Sequence, residues 1–470
     1  MFEAICELIP KDRDYSRRTW ILETLTRVIN GELYDILPFD FHDERSAIGE
    51  YIPLRKRRPS VRYPLCRLVV EDSVALLFSE GHFPTIDCPD RKTQDSLAKI
   101  FHDARLNLIM IEAAMRGSVG SVAILMRVLK GRIFFQVLDT LYLTPSWNPQ
   151  EPDTLIGMIE KYKVSGSQLK ATGYDIPEPT GDYWFQRSWD IESEIWYMPL
   201  QVGTDEPLKI DSHRTIHHGL GFVPMVWIRN LPGFSATNDP NDGACTFRAA
   251  VDTQIEIDYQ LSQAGRGLKY SSDPTLLLKE PIGSDTDIVK GAGNALIVGE
   301  HGDARLLEIG GTAAAAVIDY VKTLRDFALE SIHGNRASPE RLTAAQSGRA
   351  MELMNQGLLW LADNLRISYG EVAMLSLAKM VVRASTQYTI RTSTSELPPM
   401  NAAAPLSLKW PRWFPASASD RQLDASTLVT LVDAGLISRS SAMKAIAGTY
   451  DLNNVNVELS QVLSEQNEEN

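Results

Sequence analysis

The sequence predicts an α+β fold that is mostly helical and elongated, and three observations predict it. Segments in which apolar residues recur at the helical period occupy both ends of the chain. The region from 120 to 230 instead alternates short β-branched and aromatic runs with turns. A helix over 348–385 would be roughly 55 Å long, which suits a strut across an elongated subunit.

Length and composition indicate a folded protein of about two or three domains. The chain has 470 residues, of which 44% are hydrophobic and 23% are charged, close to the averages for globular proteins. Its formal net charge is −13. Tight binding of duplex DNA normally requires a basic surface, so this charge disfavours it.

The sequence gives no sign of secretion or membrane insertion. The N-terminus has no basic segment followed by a long apolar core, so no signal peptide is expected. No apolar run approaches the roughly 20 residues of a membrane span. Cys6, Cys66, Cys88 and Cys245 lie far apart without CxxC spacing, which predicts free thiols of a reducing cytoplasm and argues against zinc.

In the N-terminal part, apolar periodicity predicts three helices. They cover 14–30, which ends at Gly31, then 62–81, then 93–116. Residues 40–64 between the first two are rich in Pro, Arg and Lys and predict a solvated loop, the alternative being a nucleic-acid patch.

Strands are expected next, and five tryptophans fall among them. In strand-like runs, tryptophans are more often core or cross-strand partners than a ligand cage. The five are Trp147, Trp184, Trp189, Trp196 and Trp227.

Two helices are expected to flank a compact β-containing insertion in the second half of the chain. The helices cover 246–265 and 313–332, and the insertion covers 271–311. The strand candidates of the insertion are Thr275–Lys279, Ala295–Val298 and Arg305–Ile309.

A polar break follows the second of these helices, and the long helix 348–385 follows the break. Residues 386–415 predict a β-hairpin around Leu397-Pro-Pro-Met. The last fifty residues predict two or three short helices, broken at Gly435 and Gly448.

The motif search predicts that the protein is not an enzyme and uses no cofactor. The chain has no GxxxxGK[ST] phosphate loop, no GxSxG elbow and no HExxH. His213 and His217 are the best metal-ligand candidates, but Gly219 and Gly221 favour a loop leading into a strand, and surface histidines are the usual case. A metal-dependent hydrolase that uses these histidines remains an alternative.

Four phrases, in this order, resemble the bacteriophage portal proteins, the head-to-tail connectors of siphophage-like phages. The first is the helix RYPLCRLVVEDSVALLFSEG at 62–81, and the second is HHGLGFVPMVWIRN at 217–230. The third is SGRAMEL at 347–353, and the fourth is AGLISRSSA at 434–442.

The resemblance implies a division of the chain into the parts of a portal subunit. These are a mixed α/β wing at 1–245 and 348–415, stem helices at 246–268 and 312–332, a small β-containing clip at 271–311, a tunnel loop at 333–347 and a helical crown at 416–470.

It also implies a role and partners. Portals form dodecameric rings at one capsid vertex, through which double-stranded DNA is packaged and ejected, so the chain is expected in the virion after assembly in the host cytoplasm. The implied partners are further copies of the chain, the large terminase subunit, the head–tail adaptor, the major capsid and scaffolding proteins, and DNA held weakly without sequence preference. No membrane is implied.

The resemblance also assigns two sets of site residues. The DNA-tunnel loop would contribute Asn335, Arg336, Ser338, Glu340, Arg341 and Gln346. The clip would dock terminase or adaptor through Pro281, Ile282, Asp285, Asp287, Lys290, Glu300, His301 and Asp303. The main alternative is another virion ring or adaptor protein of the neck or tail.

Overall fold

The computed structural model describes residues 2–272, 275–281, 298–307, 311–334, 352–353, 355–414, 418–447 and 455–468. Helices and strands are mixed throughout, which confirms the α+β class. No helix in the described ranges is long and apolar enough to cross a membrane.

Helices form a larger share of the described chain than strands do. They are α1 (Phe2–Leu8), α2 (Arg17–Asn30), α3 (Leu65–Phe78), α4 (Arg91–Asp103), α5 (Leu106–Gly117), α6 (Gly166–Ala171), α7 (Val251–Ser272), α8 (Gly311–Ser331), α9 (Gln356–Leu365), a π-helical segment (Arg366–Met374), α10 (Leu375–Gln387), α11 (Ala418–Asp433), α12 (Arg439–Ala447) and α13 (Val455–Glu468).

The strands are mostly short and antiparallel. They are β1 (Phe39–Asp40), β2 (Arg57–Arg58), β3 (Thr85–Asp87), β4 (Ser121–Leu129), β5 (Arg132–Asp139), β6 (Leu143–Trp147), β7 (Leu155–Ser165), β8 (Asp182–Trp189), β9 (Ser193–Trp196), β10 (Leu200–Gln201), β11 (Ile216–His217), β12 (Met225–Arg229), β13 (Thr275–Pro281), β14 (Val298–Leu307) and β15 (Ser407–Lys409).

The strands predicted in the central region are confirmed, and they form two sheets. One has the order β12-β4-β5, and the other has the order β11-β9-β8-β7-β6 with β10 paired to β8. One face of β4 points into the main core, and the other face contributes Ala123 and Leu125 to a second core between the sheets. Trp189 and Trp227 lie in this second core at 1% and 6% exposure, which confirms the expected core role of these tryptophans.

The main core gathers α2, α3, α5, the first half of α7, the end of α8 and the helical segment 358–384. Local signals define several of these helices. Ser16 caps α2 by accepting a hydrogen bond from the Thr19 N–H, and Gly31 ends the helix in the left-handed region at φ 76°. The predicted helix over 348–385 is confirmed from Gln356 onward and continues to Gln387.

Three expectations about secondary structure are wrong in part. The helix predicted over 93–116 is two helices, because Arg105 adopts the left-handed conformation at φ 52° between them. The hairpin predicted over 386–415 does not form: Arg391 and Glu396 make one isolated bridge, and β15 pairs with the distant β3. The strand candidates Ala295–Val298 and Arg305–Ile309 are parts of one strand where the structure describes them, because β14 runs without a break over Val298–Leu307; residues 295–297, 308 and 309 lie outside the described residues.

The basic loop at 40–64 is also less solvated than predicted. Arg57 is 1% exposed, and its guanidinium donates to the backbone oxygen of Ile52 at 2.9 and 2.6 Å. The backbone oxygen of Arg57 accepts a hydrogen bond from Tyr259 of α7 at 2.8 Å. This arginine therefore fixes the loop against α7, while Arg55 and Lys56 stay exposed.

Candidate functional site: a helix pair joined through two strands

The segment from Val251 to Ser331 leaves the main core and returns to it. Helices α7 and α8 pack against each other, and the end of α8 contacts the turn at 248–250 where α7 begins. Between them, β13 and β14 pair antiparallel, with Lys279 opposite Asp303. The expected order of helix, β-containing insertion and helix is thus present among the described residues, and we call 251–331 the stem excursion.

A buried carboxyl group holds α7 to the core. The Asp258 side chain accepts hydrogen bonds from the Tyr63 N–H at 2.6 Å and from the Tyr34 hydroxyl at 2.7 Å. Asp258 has no solvent exposure. Burial is the main reason that its pKa rises to about 7, and the two hydrogen bonds and the nearby Arg62 oppose that rise.

Further side chains of α7 bind the same N-terminal segment. The Gln254 amide oxygen accepts from the Cys66 N–H at 2.9 Å, and the Ser262 hydroxyl oxygen accepts from the Val61 N–H at 3.0 Å. With Asp258 and Tyr259, these contacts place successive turns of α7 against residues 57–66. The first half of α7 is therefore bonded to residues 57–66 at several successive turns.

We expect Asp258→Asn to remove part of the pH dependence of unfolding. The folded chain binds this proton more tightly than the unfolded chain, so the contribution is fully present below about pH 4 and is lost as pH rises through about 7. Thermal unfolding measured from pH 5 to 8 should show a Tm that falls with pH in the wild type and falls less in Asp258→Asn. Equal slopes for the two proteins would contradict this assignment.

Asn230 joins the end of β12 to the start of the stem excursion. Its side-chain amide donates to the Ala244 backbone oxygen at 2.9 Å and to the Thr246 hydroxyl at 2.8 Å. Its amide oxygen accepts from the Tyr369 hydroxyl at 3.1 Å. Asn230 and Tyr369 are both completely buried. Asn230 is the last residue of the second portal-like phrase, and that position is the sequence signal for its role.

The described clip candidates lie on the strand pair. Pro281 ends β13 opposite Val298, and Glu300, His301 and Asp303 lie on β14. His301 and Asp303 are exposed, as are Leu277, Lys279 and Arg305. Because side chains alternate along a strand, residues 301, 303 and 305 share one face of β14. Ile282, Asp285, Asp287 and Lys290 lie outside the described residues.

All six tunnel-loop candidates lie outside the described residues. They are Asn335, Arg336, Ser338, Glu340, Arg341 and Gln346. The structure does describe the approach to them. After α8, His333 adopts φ 54° and its ring packs against that of Trp360 at 4.6 Å between centroids. The helix therefore ends before the candidate loop, as predicted.

The two histidines of the alternative metal site lie apart from the stem excursion. His217 is on β11, and its Nδ1 lies 2.8 Å from the Ser193 hydroxyl. His213 is in the preceding turn, where its N–H donates to Asp211 at 3.1 Å. The predicted loop leading into a strand is confirmed. Within the described ranges, no three His, Cys, Asp or Glu residues form a group that could hold a metal.

Comparison with known proteins finds no protein-family model and no curated protein that matches the chain. A chain from the virion of a native gene transfer agent particle is similar at a TM-score of 0.36 and 12% identity, over 82% of this chain and 88% of that one. A chain from the neck of an empty gene transfer agent particle, computed with C6 symmetry, gives a TM-score of 0.37 and 11% identity over the same shares, 82% and 88%. At these values neither likeness carries an argument about function.

Proposed function

We propose that this chain is a structural protein of a phage-like virion at the junction of head and tail, and more specifically a portal subunit. Its copies would form a dodecameric ring at one capsid vertex, the channel for packaging and ejecting double-stranded DNA. The observation that carries the proposal is the stem excursion. Helix α7 leads out of the main core, α8 packs against it and leads back, and the strand pair β13–β14 lies between the two helices in the sequence. The four portal-like phrases in order support the proposal.

The physics of a ring fits these residues. In a closed ring, each charge that faces the channel occurs once in every subunit. A channel wall of negative charge would therefore repel DNA strongly, and one of positive charge would bind it tightly. The exposed residues of α8 instead carry both signs: Asp319, Lys322, Arg325 and Asp326. With a net charge of −13, such a channel would pass DNA without binding it tightly or reading its sequence.

The exposed face of β14 is the proposed docking surface for terminase and the head–tail adaptor. We expect the triple substitution of His301, Asp303 and Arg305 by Ala to leave ring assembly intact, because all three side chains are exposed. Particle assembly should then stall, with a several-fold loss of DNA-filled, tailed particles counted by electron microscopy. Glu206→Ala with Lys209→Ala, an exposed pair elsewhere, is the matched control. Normal particle numbers for the triple variant would contradict the docking role.

Residues 333–347 are proposed to touch the DNA path. Gly334 and Pro339 disfavour a continuous helix there, and the resemblance directs this loop toward the channel. Arg336→Glu combined with Arg341→Glu should leave the ring intact and lower the DNA packaged per capsid, since both charges would meet phosphates briefly in a wet channel. The DNA content of purified capsids measures this effect. Unchanged packaging, or loss of the ring, would refute the assignment.

The mass of the purified protein tests the proposed function as a whole. Light scattering should find a ring of about twelve times the 52.4 kDa subunit mass. A monomer at high concentration in several salts would overturn the proposal. We further propose that the ring itself has no enzymatic activity. ATP or DNA turnover that disappears in His217→Ala would instead favour the metal-dependent hydrolase.

A further inference from the structure

The last helices of the chain bury very little of their own surface. No described residue after Phe414 is buried. Leu423 and Val429 of α11 are 65% and 60% exposed, and Leu436 is 71% exposed. Helix α12 contacts both α11 and α13, but these contacts enclose no core. Burial of apolar side chains therefore contributes little to the attachment of these helices, and the segment that precedes them gains importance.

Residues 407–414 lead into these helices, and we call them the C-terminal strap. The strap begins with β15, which pairs with β3. The rings of Trp410 and Trp413 then lie against Arg366 of the π-helical segment, with their centroids 4.7 and 3.1 Å from the guanidinium carbon. Arg366 Nη2 also donates to the Pro411 backbone oxygen at 3.2 Å. A single arginine therefore binds three residues of the strap.

Two further contacts hold the same strap. His82 Nε2 lies 2.9 Å from the Trp413 backbone oxygen, and His82 Nδ1 lies 2.9 Å from the Ser79 hydroxyl. The Trp410 ring packs on Gly370, where any Cβ would overlap it. The strap is therefore bound both to the π-helical segment and to the turn that follows α3.

The Arg366 guanidinium is held without a counter-charge. Its Nε is buried and has no hydrogen-bond partner among the described residues, and no described carboxylate forms an ion pair with it. Burial lowers the pKa of Arg366 to about 10, and the nearby Asp363 opposes that shift. Removing a cation from water without pairing it costs free energy. The contacts at Arg366 therefore hold the strap less strongly than apolar burial holds the main core.

We propose that the C-terminal strap is a releasable anchor, which leaves Arg366 and frees the C-terminal helices while the main core stays folded. Proteins open locally where few apolar side chains are buried. The helices after the strap meet that condition, whereas Leu361, Leu365 and Tyr369 on either side of Arg366 are buried in the main core. The strap can open in a single chain as well as in a ring, so its release does not depend on the proposed function.

Trypsin cleavage after Arg412 measures this release, because a protease cuts within the strap only when the strap is open. In the wild type, we expect this cut to occur while the main core remains intact. Arg366→Gln should raise its rate by about tenfold or more, since the variant loses the stacked guanidinium and a hydrogen bond to the strap. Mass spectrometry follows the fragment that ends at Arg412, and circular dichroism checks the fold.

Arg383→Gln is the matched control. Arg383 of α10 also lies over an aromatic ring, that of Phe222 at 4.6 Å, and also donates to a backbone oxygen, that of Gly221 at 3.3 Å. These contacts lie outside the strap. The control should therefore leave the rate of cleavage after Arg412 unchanged.

A second variant opens the strap without changing Arg366. The added Cβ of Gly370→Ala must displace the Trp410 ring, so this variant should also be cut faster after Arg412. Wild-type cleavage rates in both folded variants would overturn the proposed release. So would a wild type that is cut after Arg412 only as fast as its main core is degraded. A protein that forms no ring would instead remove the proposed function and leave this test unaffected.

Discussion

Replacing Arg18 by Met is expected to lower the free energy of unfolding by about 3–5 kcal/mol, because the change leaves a buried charge without its partner. The Arg18 guanidinium makes two bonds of 2.7 Å to Asp242 and one of 2.7 Å to the Thr140 backbone oxygen. The Asp242 side chain is 0% exposed. It also accepts from the Ser121 and Thr237 hydroxyls at 2.5 and 2.6 Å, but these neutral donors cannot replace the guanidinium charge.

Urea denaturation of the two proteins measures this effect, and the same helix supplies the control. Arg27 pairs with Glu23 at 2.9 Å, with side chains 30% and 42% exposed. Exposed pairs contribute less than about 1 kcal/mol, so Arg27→Met should change stability little. A loss in Arg18→Met no larger than that in Arg27→Met would mean that the buried pair does not hold the 231–243 loop to α2.

Adding one methyl group at Gly117 is expected to cost at least about 1–3 kcal/mol, the usual cost of overpacking a core. A Cβ there would overlap the Tyr369 hydroxyl and would lie 2.9 Å from Val122 Cγ1. Tyr369 is completely buried in the π-helical segment and cannot move into solvent. The absence of a side chain at Gly117 therefore allows the end of α5 to pack against the hydrogen-bonded pair of Asn230 and Tyr369.

A double-mutant cycle separates this clash from other effects of alanine. Tyr369→Phe removes the hydroxyl, so Gly117→Ala should cost less in the Tyr369→Phe background than in the wild type, although the Val122 contact remains. The free energies of unfolding of the four proteins give the coupling. If Gly117→Ala lowered the free energy of unfolding equally in the two backgrounds, the Tyr369 hydroxyl would not be what excludes a side chain at position 117.

Local signals in the sequence predicted the elements that local chemistry defines. The predicted end of α2 at Gly31 is confirmed, because a left-handed glycine satisfies the end groups of a helix. The predicted start at residue 14 is too early, because the Ser16 hydroxyl caps a helix that begins at Arg17. The strand-rich centre and the helices around the insertion follow from apolar periodicity. The break at Arg105 was missed because a non-glycine residue at φ 52° carries no compositional signal.

Long-range contacts explain most of what the sequence could not predict. The burial of Arg57 depends on α7, about two hundred residues later in the chain, through the Tyr259 hydroxyl. The carboxyl of Asp258 binds Tyr34, which is 224 residues away in the sequence, and the amide of Asn230 binds Tyr369, which is 139 residues away. Gly370 of the π-helical segment packs directly against Trp410, whose ring would overlap any Cβ at this position. Periodicity within one helix contains none of this information.

A cryo-electron microscopy map of the purified protein is the most direct test of the central claim. We expect a closed ring in which α7 and α8 of every subunit surround an axial channel wide enough for duplex DNA, with β13 and β14 at one end of the channel. A map showing monomers, or a ring whose channel is lined by other elements while α7 and α8 lie on its outer wall, would contradict it.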